Sequence, residues 1–346
     1  MILFRHANVR ATRECYFPIC RGAILLTSLL LAGPATAFGQ NATAAKQDAV
    51  AAKADAKTDT RTPTFENVSY GPHERNVFDL WLAKSDKPTP LLIFIHGGGF
   101  VTGDKRWARN NPAVAQCLAS GVSFASLNYR FREHANIQEI LRDAARAVQT
   151  IRSRAKEWNI DPDRIASFGS SAGAGTSLWL AFHDDLADPQ ATDPVLRQSS
   201  RLAAAGSLDG QFSYDFREWR DFLGPCEFER PTSEWLSFYG FQSDEQSKTD
   251  AADKVMKDCS MIGLIGKDDP PVAVASAMGD GKFINQSHYV HHPKHSSLIA
   301  ERCKEKGVEC LLVLSDDEGK RDQMKQREKV VQFLIEKLKS EPAAKK

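Results

Sequence analysis

An α/β fold with a mainly parallel central sheet and helices on both faces is what this sequence predicts, on three observations. From residue 63 onward, short continuous apolar runs alternate with longer stretches of helical periodicity. Glycine clusters follow two of those runs, at the strand ends where such sheets bind ligands. The 346 residues, 42% apolar and 26% charged, supply enough apolar material for a sizeable core.

The chain opens with a segment read as a secretory leader. Arg5, Arg10, Arg13 and Arg21 precede or begin an apolar run from Ala23 to Ala32, and Ala35-Thr36-Ala37 supplies a small-residue cleavage site. The run is well short of the roughly 20 residues that span a bilayer, so export with removal of residues 1–37 is expected, not stable membrane insertion. Residues 38–62 are rich in Ala, Lys, Thr, Asp and Gln and read as a disordered spacer, because they can bury too little surface to offset the entropy of ordering. One domain is expected over 63–340.

Within it, Val77 to Leu82 reads as an early strand, and Leu91-Leu92-Ile93-Phe94-Ile95 as a fully buried one. Val122 to Leu127 is another. Over 137–158, residues Ile137, Ile140, Leu141, Ala144, Ala145, Val148 and Ile151 keep one helical face apolar, and Asp161-Pro162-Asp163 stops the pattern. Ile165 to Phe168 gives the next strand. Further strands are expected at Leu202 to Leu208, Pro271 to Ala277 and Val308 to Leu314, with a terminal helix from about Lys320 to Leu338. Residues 216–270, between the sixth and seventh core strands, carry Trp219, Phe222, Phe228, Trp235, Phe238, Tyr239 and Phe241. That segment is too long for a simple connection and too aromatic to be solvated, which predicts a small helical cap.

The formal charge of +1, without a basic run, argues against nucleic acid or a membrane surface as partner and favours a small or neutral substrate. Oligomeric state is not written in the pattern. Beyond the leader, Cys117, Cys226, Cys259, Cys303 and Cys310 remain, expected reduced and mostly buried; Cys226 and Cys259 are the pair an oxidising compartment would offer. His288 and His291, like His292 and His295, are three apart, but no cysteine lies nearby to complete a structural zinc site. No metal or other cofactor is expected.

Two motifs carry chemistry. Gly169-Ser170-Ser171-Ala172-Gly173 fits G-x-S-x-G between an expected strand and helix, where a sharp turn would project the Ser171 hydroxyl as a nucleophile. His96-Gly97-Gly98-Gly99-Phe100 follows the buried strand 91–95. Glycine lets backbone amides point into a cavity, as acyl transfer requires when charge develops on a carbonyl oxygen. The N–H groups of Gly98, Gly99 and Ala172 are the expected oxyanion donors, with His96 holding the loop.

These motifs, some 75 residues apart, resemble the esterase and lipase branch of the α/β-hydrolase fold. That branch includes hormone-sensitive-lipase-like esterases and bacteroidetes-type feruloyl and acetylxylan esterases. Supporting segments are Tyr70-Gly71, Asp79-Leu80-Trp81-Leu82, Gly103-Asp104-Lys105 and Asn128-Tyr129-Arg130, so the likeness runs from residue 65 to about 340. It implies a carboxylic ester hydrolase with a Ser-His-acid triad and no metal, acting on a small-molecule or carbohydrate-linked ester.

The family order is serine, acid after the seventh core strand, histidine after the eighth. Asp280 stands where the acid belongs. After the last strand, however, Ser315-Asp316-Asp317-Glu318-Gly319 brings no histidine, and His295 is the last in the chain. Two readings follow. In one, the base comes from the loop 287–295, with His291 or His292 the candidates and Asp280, Asp209 or Asp215 as the acid, since triads are defined by geometry and not by chain order. In the other, the base is missing, and the chain is an impaired hydrolase acting as a carbohydrate-binding module. A formamidase or amidase of the same fold is the nearest rival activity.

Overall fold

The structure is a computed structural model that describes residues 62–229, 232–315 and 322–340. The leader expected over 1–37 and all but the last residue of the spacer over 38–62 lie outside the described residues. Eight strands form one sheet among the described residues: β1 (Phe65–Ser69), β2 (Val77–Trp81), β3 (Thr89–Ile95), β4 (Ser123–Leu127), β5 (Ile160–Ser170), β6 (Ala204–Leu208), β7 (Val272–Ala275) and β8 (Cys310–Val313). Their order is β1-β2-β4-β3-β5-β6-β7-β8. β2 pairs antiparallel with both β1 and β4, and every later neighbour is parallel.

Parallel strands need crossovers, and helices supply them. α1 (Pro112–Ala119), α2 (Ile137–Ser153) and α3 (Ala172–Phe182) precede β4, β5 and β6 in turn. Between β6 and β7 run α4 (Phe216–Leu223), α5 (Thr232–Tyr239), α6 (Asp244–Ser247), α7 (Asp250–Asp258) and α8 (Met261–Leu264). α9 (Gln286–His291) and α10 (Lys294–Lys306) lead to β8, and α11 (Gln323–Lys339) closes the described chain. The pleat of β3 divides its apolar run between two cores. Leu91, Ile93 and Ile95 join α2, α3 and the cap helices, whereas Leu92 and Phe94 join α1 and α11 on the opposite face.

Three elements differ from expectation. β1 carries no apolar signal because it is an edge strand whose residues are mostly exposed. Asp161-Pro162-Asp163 lies inside β5 instead of outside it: Ile160 pairs with Thr89 and Ile165 with Leu91, with a register shift between. Proline, which has no amide to give the ladder, is accommodated at that irregularity. The helix expected to reach 158 ends at Ser153; its start is fixed by a capping box between Asn136 and Glu139.

Beside the glycine loop 97–99, the Lys105 ammonium lies 2.5 Å from the Asp79 carboxylate, both side chains almost fully buried. Removing one partner of such a pair leaves the other charge buried without compensation. Asp79→Ala is expected to lower stability by about 3–5 kcal/mol, read from the urea midpoint, whereas a surface pair such as Lys248–Asp244 is worth under about 1 kcal/mol.

Candidate active site

β5 ends at Ser170 and α3 begins at Ala172, leaving Ser171 alone in the turn with φ 50° and ψ −118°. A non-glycine residue there is strained, at a cost of about 1–3 kcal/mol that the surrounding structure must hold. Part of that hold is visible: the Ser171 N–H donates to the Leu208 carbonyl of β6 at 2.9 Å, and its own carbonyl accepts from Ala174 and Gly175. The turn is tight enough that a Cβ on Gly173 would stand 2.1 Å from the Ile95 carbonyl oxygen and 2.5 Å from that of His96, which only glycine avoids.

The second motif lies against the same turn. Gly98 has φ 110°, and any Cβ there would meet the Thr102 carbonyl oxygen at 2.1 Å. Its carbonyl accepts from Val101 and Thr102, closing the loop on itself. His96 is buried beneath, stacked on Tyr129, with Nδ1 2.7 Å from the Gly97 carbonyl. The Arg75 guanidinium, which can only donate, lies 3.4 Å from Nε2, so Nδ1 carries the proton and gives it to Gly97. Burial lowers this imidazole to about 4, leaving it neutral. Gly99 and Ala172 line the cavity above Ser171. As the first residue of α3, Ala172 has an N–H with no intrahelical acceptor, at the positive end of the helix dipole.

His291 is the last residue of α9, and its Nε2 lies 2.8 Å from Ser171 Oγ. Its Nδ1 is 2.9 Å from the Ser287 carbonyl, one helical turn back. A carbonyl only accepts, so Nδ1 holds the proton and Nε2 offers its lone pair to the serine hydroxyl. The His291 carbonyl accepts from Ser276 Oγ at 3.2 Å, tying α9 to the end of β7.

The other histidines of the loop are used elsewhere. His292 is not brought to Ser171: its Nδ1 accepts from Lys294 N–H and its Nε2 lies 3.0 Å from the Gly281 carbonyl. Pro293 follows it and ends α9, turning His292 away from the serine and onto the loop after β7. Burial lowers its pKa, and burial takes His295 down to about 3, so both are neutral packing groups. His288 reaches the Gly279 carbonyl at 2.7 Å.

The position inferred for the acid from chain order is likewise corrected. Asp280 points into solvent, with 85% of its side chain exposed, and lies 3.5 Å from His292 instead of meeting His291. The loop that carries it folds back over His292. Asp209 accepts from the Ala277 amide, and Asp215 caps α4 while pairing with Arg217. Sequence reasoning missed the Ser287 carbonyl; placing a helix over 286–291 would have set it four residues behind His291. Tyr214, in a segment whose sequence left open whether it lines the pocket or only closes the strand end, lines the cavity, and its hydroxyl donates to the Ala172 carbonyl at 2.7 Å, fixing the start of α3.

The cavity over Ser171 measures about 40 Å³ and is walled by Phe100, Tyr214, Phe216, Trp219, Phe238 and Val290. A second, of about 340 Å³, adjoins it under the cap helices, sharing Phe216 and Trp219 and adding Trp235, Tyr239 and Tyr289. Among the described residues, Arg132 is the one charged residue lining the smaller cavity, and its guanidinium faces Glu234. Among the described residues no cluster of three or more His, Cys, Asp or Glu is placed to hold a metal ion. Among the same residues no helix is long and apolar enough to cross a membrane.

Residues 78–292, which span the glycine loop, the serine turn and His291, match the BD-FAE family. Among curated proteins, the chain is 29% identical over 149 residues to a probable isoprenylcysteine alpha-carbonyl methylesterase of Arabidopsis thaliana, covering 42% of this chain and 31% of that one. It is 27% identical over 218 residues to the esterase LipC of Mycobacterium tuberculosis, covering 62% and 50%. The chain thus spans a third to a half of the length of these relatives. Among solved structures, a truncated carbohydrate esterase from gut microbiota superposes with a TM-score of 0.64 at 19% identity, over 82% of this chain and 99% of the other. That likeness shows a shared fold.

Proposed function

Because the chain belongs to the BD-FAE family, we propose that it hydrolyses carboxylic esters through an acyl-enzyme on Ser171. The observation that carries this reading is the 2.8 Å approach of Ser171 Oγ to the unprotonated Nε2 of His291. As Oγ attacks the ester carbonyl, Nε2 takes its proton. The same nitrogen then returns that proton to the departing alkoxide, leaving the acyl group on Oγ. Water, deprotonated in turn by Nε2, releases the acid and restores the hydroxyl. The oxyanion of each tetrahedral intermediate is met by the N–H groups of Ala172, Gly99 and Gly98, each such donor worth about 10²–10³ in rate. The Ser287 carbonyl stabilises the imidazolium by accepting from Nδ1.

The cavities support a division of the substrate. About 40 Å³ holds only a few heavy atoms, which suits a short acyl group. The adjoining 340 Å³ with its aromatic walls suits a larger alcohol such as a sugar, whose apolar face stacks on indole or phenol rings. The order of basic, apolar and small residues over 1–37 supports export of the enzyme.

A nitrophenyl ester series tests this division. kcat/KM is expected to be highest for acetate and about 10²-fold lower for octanoate, because a longer chain must displace Phe100 or Phe238. A profile rising with chain length would assign the acyl group to the larger cavity instead. Formamide substrates run beside nitrophenyl acetate separate an esterase from an amidase of the same fold, and the esterase reading fails if the formamide is turned over faster.

A further inference from the structure

The loop that joins β4 to α2 carries Arg132 to a point where it touches two walls of the cavity over Ser171. One wall is Phe100, on the glycine loop; the other is Phe238, on α5 of the cap, and their rings meet at 5.9 Å. Arg132 holds each with a different part of itself. Its main-chain N–H donates to the Phe100 carbonyl at 2.8 Å. Its side chain, 15% exposed, reaches α5, where Nη2 donates to the Glu234 carbonyl at 3.2 Å and Nη1 stands 3.7 Å from the Glu234 carboxylate. Cζ lies 5.5 Å from the centre of the Phe238 ring, within range of cation–π attraction. Glu234 and Phe238 are four residues apart, so they share one face of α5 and one guanidinium meets both.

We propose that Arg132 is a specificity-determining residue that sets the acyl length this enzyme accepts, by clamping Phe238 against Phe100; the inference rests on the ester reading above. The two walls are fixed differently. Phe100 sits in a loop closed by the Val101 and Thr102 amides on the Gly98 carbonyl. Phe238 rides on a helix of eight residues, too short to hold itself in water and therefore placed by what it packs against. A short acyl group fits with the clamp closed. A longer one must push Phe238 outward, and α5 with it, which breaks the Glu234 contacts of a largely buried cation. A charge so placed is costly to leave uncompensated, so the clamp resists opening. Arg132 acts through Phe238 and takes no proton in the reaction, which makes it a positioning residue.

The test compares the parent protein with Arg132→Met and Arg132→Lys on nitrophenyl acetate and octanoate, with the urea midpoint of each. Methionine keeps the stem and the main-chain bond to Phe100, and drops the charge and its donors. In Arg132→Met the preference for acetate, about 10²-fold in the parent, is expected to narrow to about tenfold through a lower KM for octanoate. Arg132→Lys keeps a cation opposite Glu234 and is expected to stay within about threefold of the parent preference. If Arg132→Met does not fold, Glu234→Ala is read in its place; it removes the carboxylate, keeps the carbonyl bond, and should narrow the preference about threefold. An unchanged preference in whichever variant folds, or equal losses for both esters, would overturn the clamp and leave ester hydrolysis standing. A parent that hydrolyses neither ester, or that prefers octanoate, would bring down the reading on which the clamp rests, and the clamp with it.

Discussion

Ser171→Ala is expected to lower kcat/KM for nitrophenyl acetate by about 10³–10⁶-fold while leaving the fold intact. Alanine keeps the Cβ that already occupies this strained turn, and the hydrogen bond from the residue 171 N–H to the Leu208 carbonyl does not involve the side chain. Only the attacking oxygen is removed. What remains is the glycine loop and the cavity, which bind and polarise the ester, so a residual rate of about 10³–10⁴ over water is expected. Circular dichroism and the urea midpoint of the variant should match the parent, which separates loss of chemistry from loss of structure. If Ser171→Ala retains more than about a tenth of the activity, the nucleophile lies elsewhere.

His291→Ala is the second large effect, with an expected loss of about 10³–10⁴-fold in kcat and little change in KM. The imidazole acts on the proton of Oγ and makes no wall of the cavity, so ground-state binding survives its removal. Residues that act as a unit are not additive: Ser171→Ala with His291→Ala should be about as slow as the worse single variant. His292→Ala is the discriminating neighbour. Its two nitrogens hold the Lys294 amide and the Gly281 carbonyl, so its loss should appear in stability, with kcat within about tenfold of the parent.

The fold was legible because a strand buried on both faces leaves a continuous apolar run, and the glycines at 97–99 and 169–173 mark where the backbone must turn or approach closely. β1 was not, since an exposed edge strand has no burial to pattern it. Chain order placed the histidine-bearing segment 287–295 on the sheet end that carries Ser171. It left open which imidazole faces the serine, because neighbouring helical residues point about 100° apart. The phase of α9 and the break at Pro293 decide that, and both come from tertiary packing. The acid was illegible for a related reason: position after β7 identifies the loop bearing Asp280, but not that the loop turns back on His292 and exposes the carboxylate.

One activated hydroxyl carries the mechanism, and a fluorophosphonate probes it directly, since it bonds covalently to a serine whose proton a neighbouring base removes. The protein is treated with the reagent, digested and weighed, beside His291→Ala and His292→Ala. One adduct is expected, on the peptide that holds Ser171, formed at the parent rate in His292→Ala and at least about 10²-fold more slowly in His291→Ala. An unmodified Ser171 in the parent protein, or equal labelling of it without His291, would contradict the mechanism.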